Sequence, residues 1–142
     1  MTSSYTYTHS VETDVRPEAI WALYEDVTTW PSWDSQAERI IRDGPFQTGT
    51  TGTMKFVGQE PLAYRLAKVE TPREFVDETP VGPLVVRVSH LLEPLPDGRT
   101  RLTYSADIDG PEDEVQQIGP MITGDFPETM ASLIALAKER SS

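Results

Sequence analysis

The C-terminal stretch from Pro111 to Ser142 constrains the fold more than any other part of the chain. Val115, Ile118, Ile122, Phe126, Met130, Leu133 and Leu136 recur at spacings of three and four, which places them on one helical stripe. A continuous helix of this length extends about 40 Å. Its stripe needs a partner surface, and the sequence upstream reads mostly as strands, so the expected arrangement is a curved sheet wrapped on a long C-terminal helix. Gly119, Pro120, Gly124 and Pro127 crowd the first half of the stretch. An interior proline removes a backbone donor and clashes with the preceding turn, which predicts a kink or break between Ile118 and Pro127 and a regular helix from there to Arg140.

From Tyr5 to Thr13 the residues alternate, with Tyr5, Tyr7, His9 and Val11 on one side, the period of a half-buried strand with His9 pointing inward. Pro17 opens a short helix carrying Ile20, Leu23, Tyr24 and Val27 at helical spacing. In Thr28-Thr29-Trp30-Pro31-Ser32-Trp33-Asp34 a hydroxyl side chain caps a further helical turn, and the two tryptophans plug a core edge. Strands are expected at Glu38–Asp43, around Met54 to Val57, and at Leu62–Val69, Glu74–Thr79, Leu84–Glu93 and Arg99–Asp109. The short connections between them imply antiparallel neighbours. In the last two strands Val86, Val88, His90 and Leu92 share the inner phase with Leu102, Tyr104, Ala106 and Ile108. A two-residue turn at Asp97-Gly98 puts position 90 about opposite position 105, with Tyr104 in diagonal reach of His90.

Composition limits the partners. With 142 residues and 37% hydrophobic content, the chain is sized for a single domain over residues 1–142 with one real core. A formal net charge of −11 disfavours nucleic acid and anionic membrane surfaces. The absence of cysteine excludes a disulfide framework, and the start MTSSYTYTHS has no basic and apolar signal pattern, so a cytoplasmic location is expected. Gly44, Gly49 and Gly52 are explained by turns, because no Lys-Ser or Lys-Thr follows to make a phosphate cradle. No clustered histidine and carboxylate set and no Gly-x-Ser-x-Gly occur, so neither a metal, another cofactor nor a serine triad is expected.

The segment Ala19-Ile20-Trp21-Ala22-Leu23-Tyr24-Glu25-Asp26-Val27, followed by Trp30-Pro31-Ser32-Trp33-Asp34, resembles the opening of the START-like, helix-grip (SRPBCC) superfamily that includes the polyketide cyclase/dehydrase proteins. Asp43-Gly44-Pro45-Phe46, Gly52-Thr53-Met54-Lys55, His90 in Ser-His-Leu-Leu-Glu, and Gly98 to Tyr104 are similar to members of that family, and the resemblance covers nearly the whole chain. It implies an α+β, Bet v 1-like fold: a seven-stranded antiparallel sheet gripping the C-terminal helix around an apolar cavity, with two short helices between the first two strands. No catalytic signature is shared across the family.

A bent sheet and a straight helix diverge along their length, and the gap between them is the expected site. Its wall is assigned to Tyr7, His9, Trp33, Phe46, Met54, Phe56, Val88, Met121, Phe126 and Met130, a set suited to an aromatic or polyketide-like ligand, though such residues also simply fill cores. Cyclising and dehydrating a polyketone needs a base for a C–H between carbonyls and an acid for the departing hydroxyl. His90, among valines and leucines, is the first candidate, with Tyr104 or Tyr64 as hydrogen-bond donor. Two further readings stand beside the enzyme: a carrier or sensor with a wholly apolar wall, and a protein-binding module with an exposed apolar patch. Two or more polar groups converging near His90 favour the enzyme. The oligomeric state is open.

Overall fold

The computed structural model describes residues 1–141. The alternation at the start becomes a strand, β1 (Thr2–Thr13), and Pro17 takes the first position of α1 (Pro17–Glu25). A single 3-10 turn leads into α2 (Trp30–Trp33), and six strands follow: β2 (Ala37–Arg42), β3 (Thr51–Phe56), β4 (Leu62–Glu70), β5 (Glu74–Val81), β6 (Leu84–Pro94) and β7 (Thr100–Pro111). They form one antiparallel sheet in the order β1-β7-β6-β5-β4-β3-β2, so consecutive strands are neighbours from β2 to β7 and β1 closes on β7. The outer face carries charge: Arg87 bridges Glu78 at 2.7 Å and Asp109 at 3.0 Å, while the inner residues between them stay apolar.

The C-terminal stretch is helical but broken, and the break lies inside the expected interval. It divides into α3 (Glu112–Thr123) and α4 (Phe126–Ser141) around Gly124 and Asp125. Pro120 is accommodated within α3, and the helix is interrupted at Gly124 and Asp125 instead. The two helices do different work. α3 lies flat against β1 and β7, so closely that a Cβ on Gly119 would sit 2.7 Å from the Tyr5 ring, which requires glycine there. α4 packs on α1 and α2 and buries Met130, Leu133 and Ala137 completely.

The β6–β7 hairpin differs from expectation by one residue. Leu95 N–H donates to the Arg99 carbonyl at 2.8 Å, and Pro96, Asp97 and Gly98 form a three-residue loop with Asp97 at φ 66° and Gly98 at φ 76°. A two-residue turn at Asp97-Gly98 needs an N–H at position 96 to close its pair, and proline has none. Pairing therefore retreats to Leu95 and Arg99, and His90 stands directly opposite Tyr104.

Two buried clusters result. The larger unites α1, α2 and α4 with one end of the sheet, through Tyr24, Trp33, Met54, Phe75, Leu92, Leu102 and Met130 among others. The smaller lies under α3 and holds Leu84, Val86, Val88, Ala106, Ile108 and Val115. Phe126, the first residue of α4, packs against both. Among the described residues, no helix is long and apolar enough to cross a membrane.

Candidate active site

Strand register assembles a row of polar groups across the inner face. Tyr104 on β7 has His9 opposite it on β1 and His90 opposite it on β6. Directly opposite residues of neighbouring strands project to the same face, so both histidines of the chain flank one tyrosine. Phase places Asp77 of β5 next in the row: Phe75 faces His90 and Asp77 faces Val88, and both are buried.

His90 is held tightly. Its ring stacks on Phe75 with centroids 4.0 Å apart and planes 4° from parallel, and the Tyr104 ring meets it edge-on at 4.6 Å. His90 Nδ1 lies 3.3 Å from the Phe75 carbonyl oxygen, a contact that places the ring proton on Nδ1 and leaves the Nε2 lone pair open. That Nε2 is 3.8 Å from Asp77 Oδ2. Burial disfavours the imidazolium and pushes the His90 pKa down to about 3, against a smaller opposing pull from the Phe75 carbonyl. Burial raises the Asp77 carboxyl to about 7. The two charges that would form an ion pair are thus both suppressed: below neutrality the site holds a neutral acid beside a neutral base.

Tyr104 supplies a hydroxyl at the same place. Tyr24, completely buried on α1, donates to the Tyr104 oxygen at 3.2 Å, so the Tyr104 proton remains available to a further acceptor. Desolvation raises both phenols and keeps them protonated. Tyr64 is inward and buried as expected, but its hydroxyl donates to the Ile41 carbonyl at 2.9 Å, and the ring covers Gly52 on β3. Burial raises its pKa to about 12. Its proton is committed to the sheet edge, whereas that of Tyr104 is not.

The remaining candidates divide by position. Trp33, Met54 and Met130 are buried in the larger cluster, with Phe46, Phe56 and Phe126 packed half-buried against it. Tyr7 and Val88 belong to the smaller one, and Tyr7 meets Phe126 edge-on at 5.8 Å. His9 is half-buried. Met121 does not belong to the wall: it is 75% exposed. At 100° per residue it lies about 120° around α3 from Val115, off the stripe that Ile118 and Ile122 share. The residues that face one another between the sheet and α4, among them Tyr104, Met130 and Leu133, are buried. Two surface hollows lie elsewhere, one of about 430 Å³ beside Ser4, Pro83 and Asp109 and one of about 710 Å³ beside Arg16, Glu18 and Lys138.

Sequence reasoning missed Asp77 and the role of Tyr24. The signal for Asp77 was its phase, two residues from Phe75 and four from Val81 on the same side of β5. Three polar groups, Asp77, Tyr104 and Tyr24, therefore converge on or beside His90, the arrangement that distinguishes a reactive wall from an inert one.

Comparison with known proteins agrees with this architecture. Solved structures with the same fold include a norcoclaurine synthase point mutant from Thalictrum flavum in complex with a transition-state analogue, with 17% identity, a TM-score of 0.80, and coverage of 100% of this chain and 99% of that one. Another is the Zhui aromatase/cyclase from a Streptomyces species, with 12% identity, a TM-score of 0.83, and coverage of 99% and 97%. No curated protein matches the sequence. A family model described as polyketide cyclase/dehydrase and lipid transport matches residues 4–138, and with nearly the whole chain covered, the protein belongs to that family.

Proposed function

We propose that the chain, acting as one domain in the cytoplasm, binds a small hydrophobic molecule of aromatic or polyketide-like type against the inner wall of the sheet. There it catalyses cyclisation with loss of water. The observation that carries this reading is the buried Asp77 carboxyl, raised to about 7 beside the neutral His90. A carboxyl poised there is populated in both forms near neutral pH, which is the condition for a group that must take a proton and return it.

The chemistry balances on Asp77 alone. The carboxylate removes a proton from a carbon between two carbonyls, the carbanion electrons form the new carbon–carbon bond at another carbonyl, and the resulting alkoxide is protonated. Loss of a second α-proton and departure of the hydroxyl as water then leave a double bond, with the carboxyl donating the proton that the water carries away. In this reading the Tyr104 hydroxyl holds a substrate oxygen, and the His90 ring, neutral through burial, lies beside the Asp77 carboxyl without taking its proton. The aromatase/cyclase description of one structural neighbour supports the reaction class.

The test begins with native mass spectrometry of freshly purified protein, which identifies the class of a retained apolar molecule. Turnover of a synthetic aryl polyketone is then followed by absorbance as the new aromatic ring forms. Asp77→Asn is expected to slow it at least about 100-fold, the usual scale of general acid–base catalysis, and His90→Phe to lower it with ligand affinity retained. Full turnover in Asp77→Asn would remove Asp77 from the chemistry, and saturable binding without turnover by the wild-type chain would leave a carrier.

A further inference from the structure

Among the described residues, Trp21 Nε1 is the one buried side-chain nitrogen or oxygen without a hydrogen-bond partner. The other two tryptophans are satisfied: Trp30 Nε1 donates to the Tyr24 carbonyl at 3.2 Å and Trp33 Nε1 to Thr29 Oγ1 at 3.3 Å. An unmade hydrogen bond on a buried N–H costs stability, such groups are few in native proteins, and a functional role is one of the reasons they are kept. Trp21 is 3% exposed, so water does not do so from outside.

Its neighbours indicate where a partner enters. The indole meets three aromatic rings edge-on: Tyr24 at 6.1 Å, Phe75 at 6.1 Å and Phe46 at 5.6 Å. Tyr24 and Phe75 are completely buried and fixed on α1 and β5. Phe46 alone is half-buried, and it sits on the loop between β2 and β3 rather than on a regular element. Phe46 also lies 5.1 Å from Phe75, which carries the stacked His90 ring. A flat ring in the place of Phe46 would therefore have Trp21 at one edge and the Phe75–His90 stack at another.

Resting on the binding reading above, we infer that Trp21 Nε1 is the hydrogen-bond donor to a carbonyl oxygen of the bound molecule, whose aromatic ring takes the place of the Phe46 side chain. Trp21 is then a positioning residue. It fixes one oxygen of an aryl ketone so that the carbons beyond it point to Asp77 and His90, and it selects against hydrocarbons of the same shape.

Two probes of matched shape test this, α-tetralone with a carbonyl and tetralin without one. Calorimetric titration of the wild-type chain should show the ketone binding about five- to tenfold more tightly, the scale of one neutral hydrogen bond. In a nitrogen–proton correlation spectrum with three indole signals, the ketone should move the Trp21 signal downfield and tetralin should not. Trp21→Phe should erase the preference by weakening the ketone alone. Phe46→Ala should tighten both probes, because the ring they replace is gone. Equal affinity of the two probes for wild type, or an unmoved Trp21 signal, overturns the inference while the pocket stands. Absence of saturable binding by either probe removes the pocket reading and the inference together.

Discussion

The buried pair of Asp77 and His90 should be legible in the pH dependence of stability, in a form that only its removal reveals. Unfolded, the carboxyl titrates at its ordinary 3.8 and the imidazole at its ordinary 6.5; folded, the order inverts, with Asp77 at about 7 and His90 at about 3. Between pH 3.8 and 6.5 the unfolded chain carries one proton on the histidine and the folded chain carries one on the aspartate. The counts are equal, so the pair contributes no slope to stability there, although both pKa values are displaced. Take away Asp77 by Asn substitution and only His90 remains. Its folded pKa is depressed, so the unfolded chain binds the extra proton, and stability rises with pH up to about 6.5. Take away His90 by Phe substitution and only Asp77 remains. Its folded pKa is raised, so the folded chain binds the extra proton, and stability falls as pH rises towards 7.

Each uncompensated proton is worth about 1.4 kcal/mol per pH unit. Urea denaturation at intervals from pH 5.0 to 6.5 keeps clear of the more acidic range where a chain of net charge −11 approaches neutrality. Across that span of about 1.5 units, Asp77→Asn should gain about 2 kcal/mol relative to wild type and His90→Phe should lose about 2 kcal/mol. Subtraction of the wild-type curve removes the contribution of the surface carboxylates Glu74, Glu78 and Asp109, which ion pairs and hydrogen bonds hold low. Three parallel curves would refute the reasoning, since they would mean that neither group changes its proton affinity on folding.

Three further outcomes follow from the packing. Leu133→Ala, at a completely buried position on α4, should cost about 2 to 5 kcal/mol by urea denaturation, and a loss below about half a kcal/mol would place α4 off the core. Gly119→Ala forces a methyl to within 2.7 Å of the Tyr5 ring and should cost about 1 to 3 kcal/mol, read as a lowered calorimetric midpoint. Tyr104→Phe strands the buried Tyr24 hydroxyl and should cost about 1 to 3 kcal/mol, a loss that the double Tyr24→Phe, Tyr104→Phe variant partly restores; an additive double variant would mean the hydroxyls are not coupled.

Much of this arrangement was readable from pattern because it rests on pattern. Alternation placed His9, His90 and Tyr104 on the inner face, and glycine and proline placed the break in the C-terminal helix. What escaped was set by the competition between neighbours. Asp77 has the inward phase of Phe75, but a carboxylate reads as solvent-facing on composition, and only enclosure by the rest of the fold makes it a neutral acid. Met121 reads as apolar wall on composition, but the rotation of α3 sets it outside. The hairpin register turned on one missing N–H at Pro96, and Tyr24 found Tyr104 only through contact between α1 and the sheet.

The position of the polar row has a structural cause as well as a chemical use. On β1, Tyr7 belongs to the smaller cluster and Val11 to the larger, with His9 between them; on β6 the sequence runs Val88, His90, Leu92 across the same divide. On β7 it is crossed between Tyr104 and Ala106, and on β5 Asp77 lies beyond Phe75. The row thus follows the seam between two cores, and the seam exists because one helix lies flat on β1 and β7 while the next packs on α1. A straight C-terminal helix would bury that line under continuous apolar contact and leave imidazole and carboxyl no place. The break at Gly124 and Asp125 puts Phe126 over it instead, meeting Tyr104 edge-on at 5.6 Å. The glycine and prolines that interrupt the helix and the polar residues on the sheet are therefore two halves of one arrangement.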